Sequence, residues 1–131
     1  MSIAQNRFCI NRKIAPNLSI ENFFRLVKKC GLNKVELRND MASGKVTDEL
    51  TTAQLNALAG EYEIEIVTIN ALQYFNLPEY SSALQQEAEN MLKLAQAIHC
   101  QGIILCPNCS ASDRRSVEQK EQDTLNALLL L

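Results

Sequence analysis

The chain has 131 residues, a net charge of −2, 47% hydrophobic and 21% charged residues. These globular values exclude a disordered or collagenous chain and point to a single domain, 1–131. With so little net charge there is no global basic field for a nucleic acid backbone, no apolar run reaches the roughly 18 residues of a transmembrane helix, and Met1–Lys13 lacks the apolar stretch of a signal peptide. The five cysteines are an odd number without a secretory signal, which reads as reduced thiols in the cytoplasm.

Arg7–Ile14 reads as the first strand. Its junction to the next element, Ile14-Ala15-Pro16-Asn17-Leu18-Ser19, holds no glycine, so a dinucleotide-binding fingerprint is absent where it belongs. Ser19 then caps a helix whose apolar face is Ile20, Phe23, Phe24 and Val27; Lys28 and Lys29 suit its last turn and Gly31 stops it. Lys34–Arg38 is the second strand. Thr51 and Gln54 have capping-box spacing ahead of a helix burying Leu55, Leu58 and Ala59. Ile64–Asn70 is the third strand, with Val67 and Ile69 on one face and Thr68 and Asn70 on the other. Ser82 and Gln85 open a third helix with the stripe Leu84, Ala88, Met91, Ala95 and Ile98. Gly102–Cys106 is the fourth strand, and Ser116 with Gln119 opens a fourth helix running into Leu125–Leu131. That apolar end carries no stop signal, the pattern of a chain cut in mid-element or missing a second half.

Strand starts 27, 30 and 38 residues apart fit βαβ units and a parallel sheet. In the second strand Val35 and Leu37 alternate with Glu36, Arg38 and Asp40. Polar residues gathering at the C-terminal strand end, with one-sided helices, favour a (β/α)8 barrel over a doubly wound sheet, which is apolar on both faces. A full barrel takes about 250 residues, so four units make the N-terminal half of one.

By strand parity Glu36 and Arg38 point into the barrel, either lining a pocket or forming an ion pair with each other or between strands. Asn11, Asn70 and Asn108 lie near strand ends, where an amide can bond a sugar hydroxyl or close a turn. These five are the candidate substrate-binding residues. Tyr74 and Phe75 lie in the loop after the third strand, able to wall a pocket or simply to pack. His99, the only histidine, ends the third helix at the wrong end of the barrel for chemistry. Cys106-Pro107-Asn108-Cys109 has redox spacing but lacks the first-strand position of a thioredoxin site and a second ligand pair for zinc. Lys45 follows no phosphate-loop pattern. Arg114 and Arg115 offer a phosphate contact or, more simply, a solvated pair.

The helix ending Cys30-Gly31, followed by Lys34-Val35-Glu36-Leu37-Arg38-Asn39-Asp40, resembles the xylose-isomerase-like TIM barrels. Phe8-Cys9-Ile10-Asn11, Ile66-Val67-Thr68-Ile69-Asn70 and Ile103-Ile104-Leu105-Cys106-Pro107 match their first, third and fourth strands in order. The resemblance implies a sugar, sugar-phosphate or inositol-derived isomerase or epimerase. It implies a divalent metal (Mn, Mg, Zn or Co) that polarises substrate oxygens, while carboxylates move a proton through an enediolate. The family's ligands stand on later strands, so this chain is expected to hold none and to be inactive alone. Its expected partners are a small-molecule sugar and a second copy of itself, not nucleic acid or a membrane. The inner face and strand edges must be covered by a second copy, by missing C-terminal strands or by a rearranged helix, two half-barrels facing each other being the simplest closed solution. The other readings are a non-catalytic, self-associating half-barrel and, less favoured for want of histidine at the strand ends, a metal-dependent hydrolase of the AP-endonuclease type.

Overall fold

A computed structural model describes residues 4–131; the first residues of the Met1–Lys13 segment lie outside them. Four parallel strands pair in the order β1 (Ile10–Asn11), β2 (Lys34–Arg38), β3 (Glu65–Gln73) and β4 (Gly102–Cys106). The helices α1 (Ile20–Lys29), α2 (Thr52–Glu61), α3 (Ser81–Ala97) and α4 (Val117–Leu130) alternate with them. Among the described residues the sheet is open: β1 pairs only with β2, and β4 only with β3.

The helix starts follow local side-chain chemistry. Ser19 accepts from the Asn22 amide at 3.2 Å, and Ser116 accepts from the Gln119 amide at 3.2 Å. Thr51 and Gln54 complete both bonds of a capping box, satisfying amides that have no partner within the helix. The third helix departs from expectation. It begins at Ser81 directly after a 3-10 turn over Pro78–Tyr80, with no side-chain cap, because the turn already sets the backbone direction.

The helix ends share one device. After α1, the Leu32 amide donates to Val27 O and the Gly31 amide to Lys28 O, the paired bonds of a Schellman turn. The same pairs recur after α2 (Ile64 to Ala59, Glu63 to Gly60) and after α3 (Cys100 to Ala95, His99 to Gln96). The turning residues Gly31, Glu63 and His99 all have positive φ, at 72°, 51° and 54°. His99 therefore serves the backbone turn that delivers the chain into β4.

One face of the sheet carries the core. Val35 and Leu37 of β2 and Ile66, Ile69 and Leu72 of β3 pack against Ile20, Phe23, Phe24 and Val27 of α1, Leu55 of α2, and Leu84, Met91 and Ile98 of α3. At roughly 1.5–3 kcal/mol per fully buried large apolar side chain, this cluster is the main source of stability. Val67 is a correction to the expected alternation. A register shift between Val35 and Glu36 leaves Val67 without a partner on β2, so Ile66 takes the buried position and Val67 is only half-buried. Thr68 and Asn70 keep their expected face. Phe75 is core, while Tyr74 is exposed and stacks on Tyr80.

The first strand is also shorter than its β-like run. The Asn11 side chain accepts from the Lys13 amide at 2.7 Å, turning the chain into a 3-10 segment over Arg12–Ile14. That turn drives Arg12 inward, where its guanidinium pairs with Asp48 and donates to Leu18 O. A buried cation needs such pairing, and here it pins the loop between β2 and α2 to the end of β1.

Candidate substrate-binding site

The sheet face away from the helices is polar toward the C-terminal strand ends. Register sets Asn11 beside Glu36, Glu36 beside Thr68, and Arg38 beside Asn70. Their side chains meet at the Glu36 carboxylate. Oε1 accepts from Asn11 Nδ2 and from Asn70 Nδ2 (3.0 Å), and Oε2 accepts from Thr68 Oγ1 (2.7 Å). Three strands thus converge on one half-buried carboxylate, and every donor is neutral. Such donors fix the carboxylate's orientation without cancelling its charge. Cys106 stands at the margin, its Sγ 4.0 Å from Asn70 Oδ1.

Above this cluster lies an ionic rim. Arg38 donates to Asp40 through Nε (2.6 Å) and Nη2 (2.8 Å), and Lys13 reaches the same carboxylate at 3.2 Å. The Arg38 hydrogen bonds hold Asp40 well below the usual carboxylate range, against the opposing effect of burial and with help from Lys13. The expected alternative of a Glu36–Arg38 ion pair is thereby replaced by Arg38–Asp40. Asn39 braces the junction. Its amide group donates to Ala71 O (2.9 Å) and accepts from Ala71 N (2.9 Å).

Of the five expected residues, Asn11, Glu36 and Asn70 come together and Arg38 lies on the rim. Asn108 is not brought to the cluster. Its Nδ2 donates to Asp113 (3.0 Å), its Oδ1 accepts from the Ser110 amide (3.2 Å), and its own amide donates to Asn76 (2.8 Å). Those bonds shape the loop after β4. Arg115 belongs to that loop and is not a solvated cation: it bonds Asp113 and Asp123, each at 2.7 Å, and Asn76 O at 2.9 Å. The hydrogen bonds with Asp113 and Asp123 raise the pKa of Arg115. Arg114 is exposed. The five cysteines are free thiols. Sequence reasoning missed Thr68, Lys13 and Asp40 as site members. Thr68 was legible from its parity with Asn70; Lys13 arrives only through the turn at Asn11.

The described residues do not fit a metal centre. No group of three His, Cys, Asp or Glu side chains is placed to hold an ion, and Glu36 is surrounded by amide and hydroxyl donors instead of further anionic ligands. Among the described residues, no helix is long and apolar enough to cross a membrane.

The fold defines the class. Four parallel βα units with a polar cluster at the C-terminal strand ends are similar to part of a xylose-isomerase-like TIM barrel. A solved structure of a xylose isomerase domain-containing protein from Salmonella typhimurium LT2 is 48% identical over 97% of this chain and 44% of that one, with a TM-score of 0.82. The IolI protein, solved with a bound zinc atom, is 17% identical over 92% of this chain and 44% of its own, with a TM-score of 0.79, a likeness of fold. The chain therefore spans less than half the length of these two structures. No protein-family model matches the chain, and no curated protein does.

Proposed function

We propose that this chain forms the substrate-gripping part of the pocket of a sugar, sugar-phosphate or inositol-derived isomerase or epimerase. The carrying observation is the Glu36 carboxylate, oriented by Asn11, Thr68 and Asn70 on the inner face. A fixed anion beside amides that both donate and accept suits vicinal hydroxyls: the carboxylate accepts their protons, and Asn70 Oδ1 and Asn11 Oδ1 accept or share others. A reaction of this class moves a proton between neighbouring carbons, which needs a general acid and a general base. This chain supplies one candidate carboxylate, so the second group and any divalent metal would come from outside it. The zinc bound by IolI makes a metal part of the proposal for the whole enzyme. The cytoplasm suits its free thiols.

The test is an NMR titration of the 131-residue chain with inositol and a panel of aldoses, alongside an isomerase assay with and without Mn²⁺. Shift changes confined to Asn11, Glu36, Thr68 and Asn70, with no turnover, are expected. Absence of any polyol-dependent change there would refute the binding role. Metal-dependent turnover by this chain alone would refute the placement of the remaining groups outside it.

A further inference from the structure

Two cations stand on the rim above the Glu36 cluster, and one carboxylate engages both. Asp40 presents Oδ1 to Arg38 Nε (2.6 Å) and Oδ2 to Arg38 Nη2 (2.8 Å), and the same Oδ2 accepts from Lys13 Nζ at 3.2 Å. Two parallel N–H···O bonds to one guanidinium are the geometry in which arginine takes a carboxylate or phosphate ligand. Asp40 therefore lies where the anionic group of a bound molecule would lie. The Arg38 side chain keeps 14% of its surface exposed, so the guanidinium is held in place and its fork decides what reaches it. Two other cations at this end of the sheet are matched in the same way, Arg12 by Asp48 and Arg115 by Asp113 and Asp123.

Asp40 keeps its position by proximity. It follows Arg38 by two residues, so its carboxylate competes as a tethered ligand at an effective concentration of about millimolar or higher. The Arg38 hydrogen bonds hold it well below the usual carboxylate range, so the fork stays filled at mildly acidic pH. An incoming phosphate has to displace this carboxylate and then sit beside its negative charge. A hydroxyl meets no such obstacle one layer deeper, where Glu36 is surrounded by neutral donors. Asn11 ties the two layers together. Its Nδ2 donates to Glu36, and its Oδ1 accepts from the Lys13 amide in the turn that carries Lys13 to Asp40.

We infer that Asp40 is a specificity-determining residue: by filling the Arg38 fork it reserves this part of the pocket for an uncharged polyol and shuts out the phosphorylated form. Of the substrate types proposed above, the unphosphorylated ones are then the ones this side of the pocket accepts. The inference rests on the polyol-binding reading of the Glu36 cluster. The two are separable in experiment, because inorganic phosphate probes the rim alone.

NMR titrations at constant ionic strength test it, with inorganic phosphate on the 131-residue chain, Asp40→Asn and Asp40→Ala, and with inositol on the unmodified chain. The unmodified chain is expected to show inositol shifts at the Glu36 cluster and no saturable phosphate shift at Arg38 or Lys13. Asp40→Asn leaves Arg38 a single neutral acceptor and is expected to bind phosphate at the rim at least about tenfold more tightly, the worth of one charge-assisted bond. Asp40→Ala removes the acceptor altogether, and the same gain there covers the case in which asparagine refills the fork. Adding Arg38→Gln to either variant is expected to abolish the gain, with circular dichroism verifying that each chain is folded. Saturable phosphate binding at the rim of the unmodified chain, no gain in either Asp40 variant, or a gain that survives Arg38→Gln would each overturn the inference. Absence of inositol shifts in the unmodified chain would instead refute the polyol reading, and the substrate class with it, whatever phosphate does.

Discussion

Replacing Glu36 by Gln and by Leu separates the charge of this residue from its hydrogen bonds. In Glu36→Gln one carboxylate oxygen remains for Asn11 and Asn70, which already share Oε1. The new NH₂ falls where Oε2 accepts from Thr68 at 2.7 Å. A hydroxyl both donates and accepts, so Thr68 rotates its proton away and accepts from the NH₂. All three partners stay satisfied, and the loss is the difference between charge-assisted and neutral bonds, about 1 kcal/mol in all for a half-buried cluster. Glu36→Leu strands three donors facing an apolar group. Water reaches part of the site, which brings the cost to about 2–3 kcal/mol, below the sum of three fully buried orphans at about 1–3 kcal/mol each. Urea denaturation of the two variants under identical conditions measures the gap. Equal destabilisation by Gln and Leu would show that the charge itself stabilises the cluster and would refute the hydroxyl-rotation argument. If Glu36 acts on a polyol through its charge, Glu36→Gln should fold almost normally yet lose the polyol-dependent NMR shifts.

Three further outcomes are expected. Arg12→Ala should cost about 2–3 kcal/mol in urea denaturation, less than the roughly 3–5 kcal/mol of a fully buried pair, because Asp48 keeps 24% exposure and its bond from Ser43; a loss under about 0.5 kcal/mol, typical of surface positions, would refute the clamp. Burial works to raise the Asp48 pKa, but hydrogen bonds from Arg12 and Ser43 outweigh it and leave the group below its ordinary value. Its contribution should therefore be complete at neutral pH and fade as pH falls below about 4, and the acid-side slope should be shallower in Asp48→Asn, with Asp40 and Asp113, also held below the ordinary range, supplying part of what remains. Glycine exchanges at the helix ends should have opposite signs: Gly31→Ala is expected to destabilise and His99→Gly to stabilise, each by about 1 kcal/mol on thermal or urea melts, since both positions have positive φ; the same sign for both would contradict the Schellman assignment. Arg115→Met should release the loop after β4, read as faster hydrogen exchange at the Asn108 amide with β1–β3 unchanged, and unaltered Asn108 exchange would exclude Arg115 as the tie.

The fold was legible where local chemistry and global topology agree. Ser19, Thr51 and Ser116 each announce a helix through a side-chain oxygen three residues before a free amide, and Gly31 announces an end. Glu63 and His99 perform the same turn as Gly31 with no compositional signal, because the following residues Ile64 and Cys100, held by the second Schellman bond, compensate for the left-handed backbone. The shift that displaces Val67 was hidden for a different reason: strict alternation is assumed when only one strand is read, and an extra residue becomes visible only against its partner β2. Glu36, Asn11 and Asn70 were found by parity because they lie on regular strand. Asn108 misled because its place after β4 suggested the pocket, whereas Asp113, a loop contact seven residues beyond the strand, claims its amide.

The brace made by Asn39 bears on how the rim above the pocket is held. β2 ends at Arg38, whereas β3 runs on to Gln73. The Asn39 side-chain amide meets Ala71 through one donor and one acceptor, as the next peptide of β2 would have done. A side chain thus stands in for main chain, and the backbone of β2 is released from the ladder one step early. The register of β3 is thereby held at Asn39, while the segment beginning at Asp40 is anchored by other means, the Arg12–Asp48 pair and the buried Met41 and Val46; at position 39 aspartate would offer Ala71 O no donor, and alanine would offer neither group. A single amide thereby separates what fixes the register of the sheet from what anchors the loop beyond it.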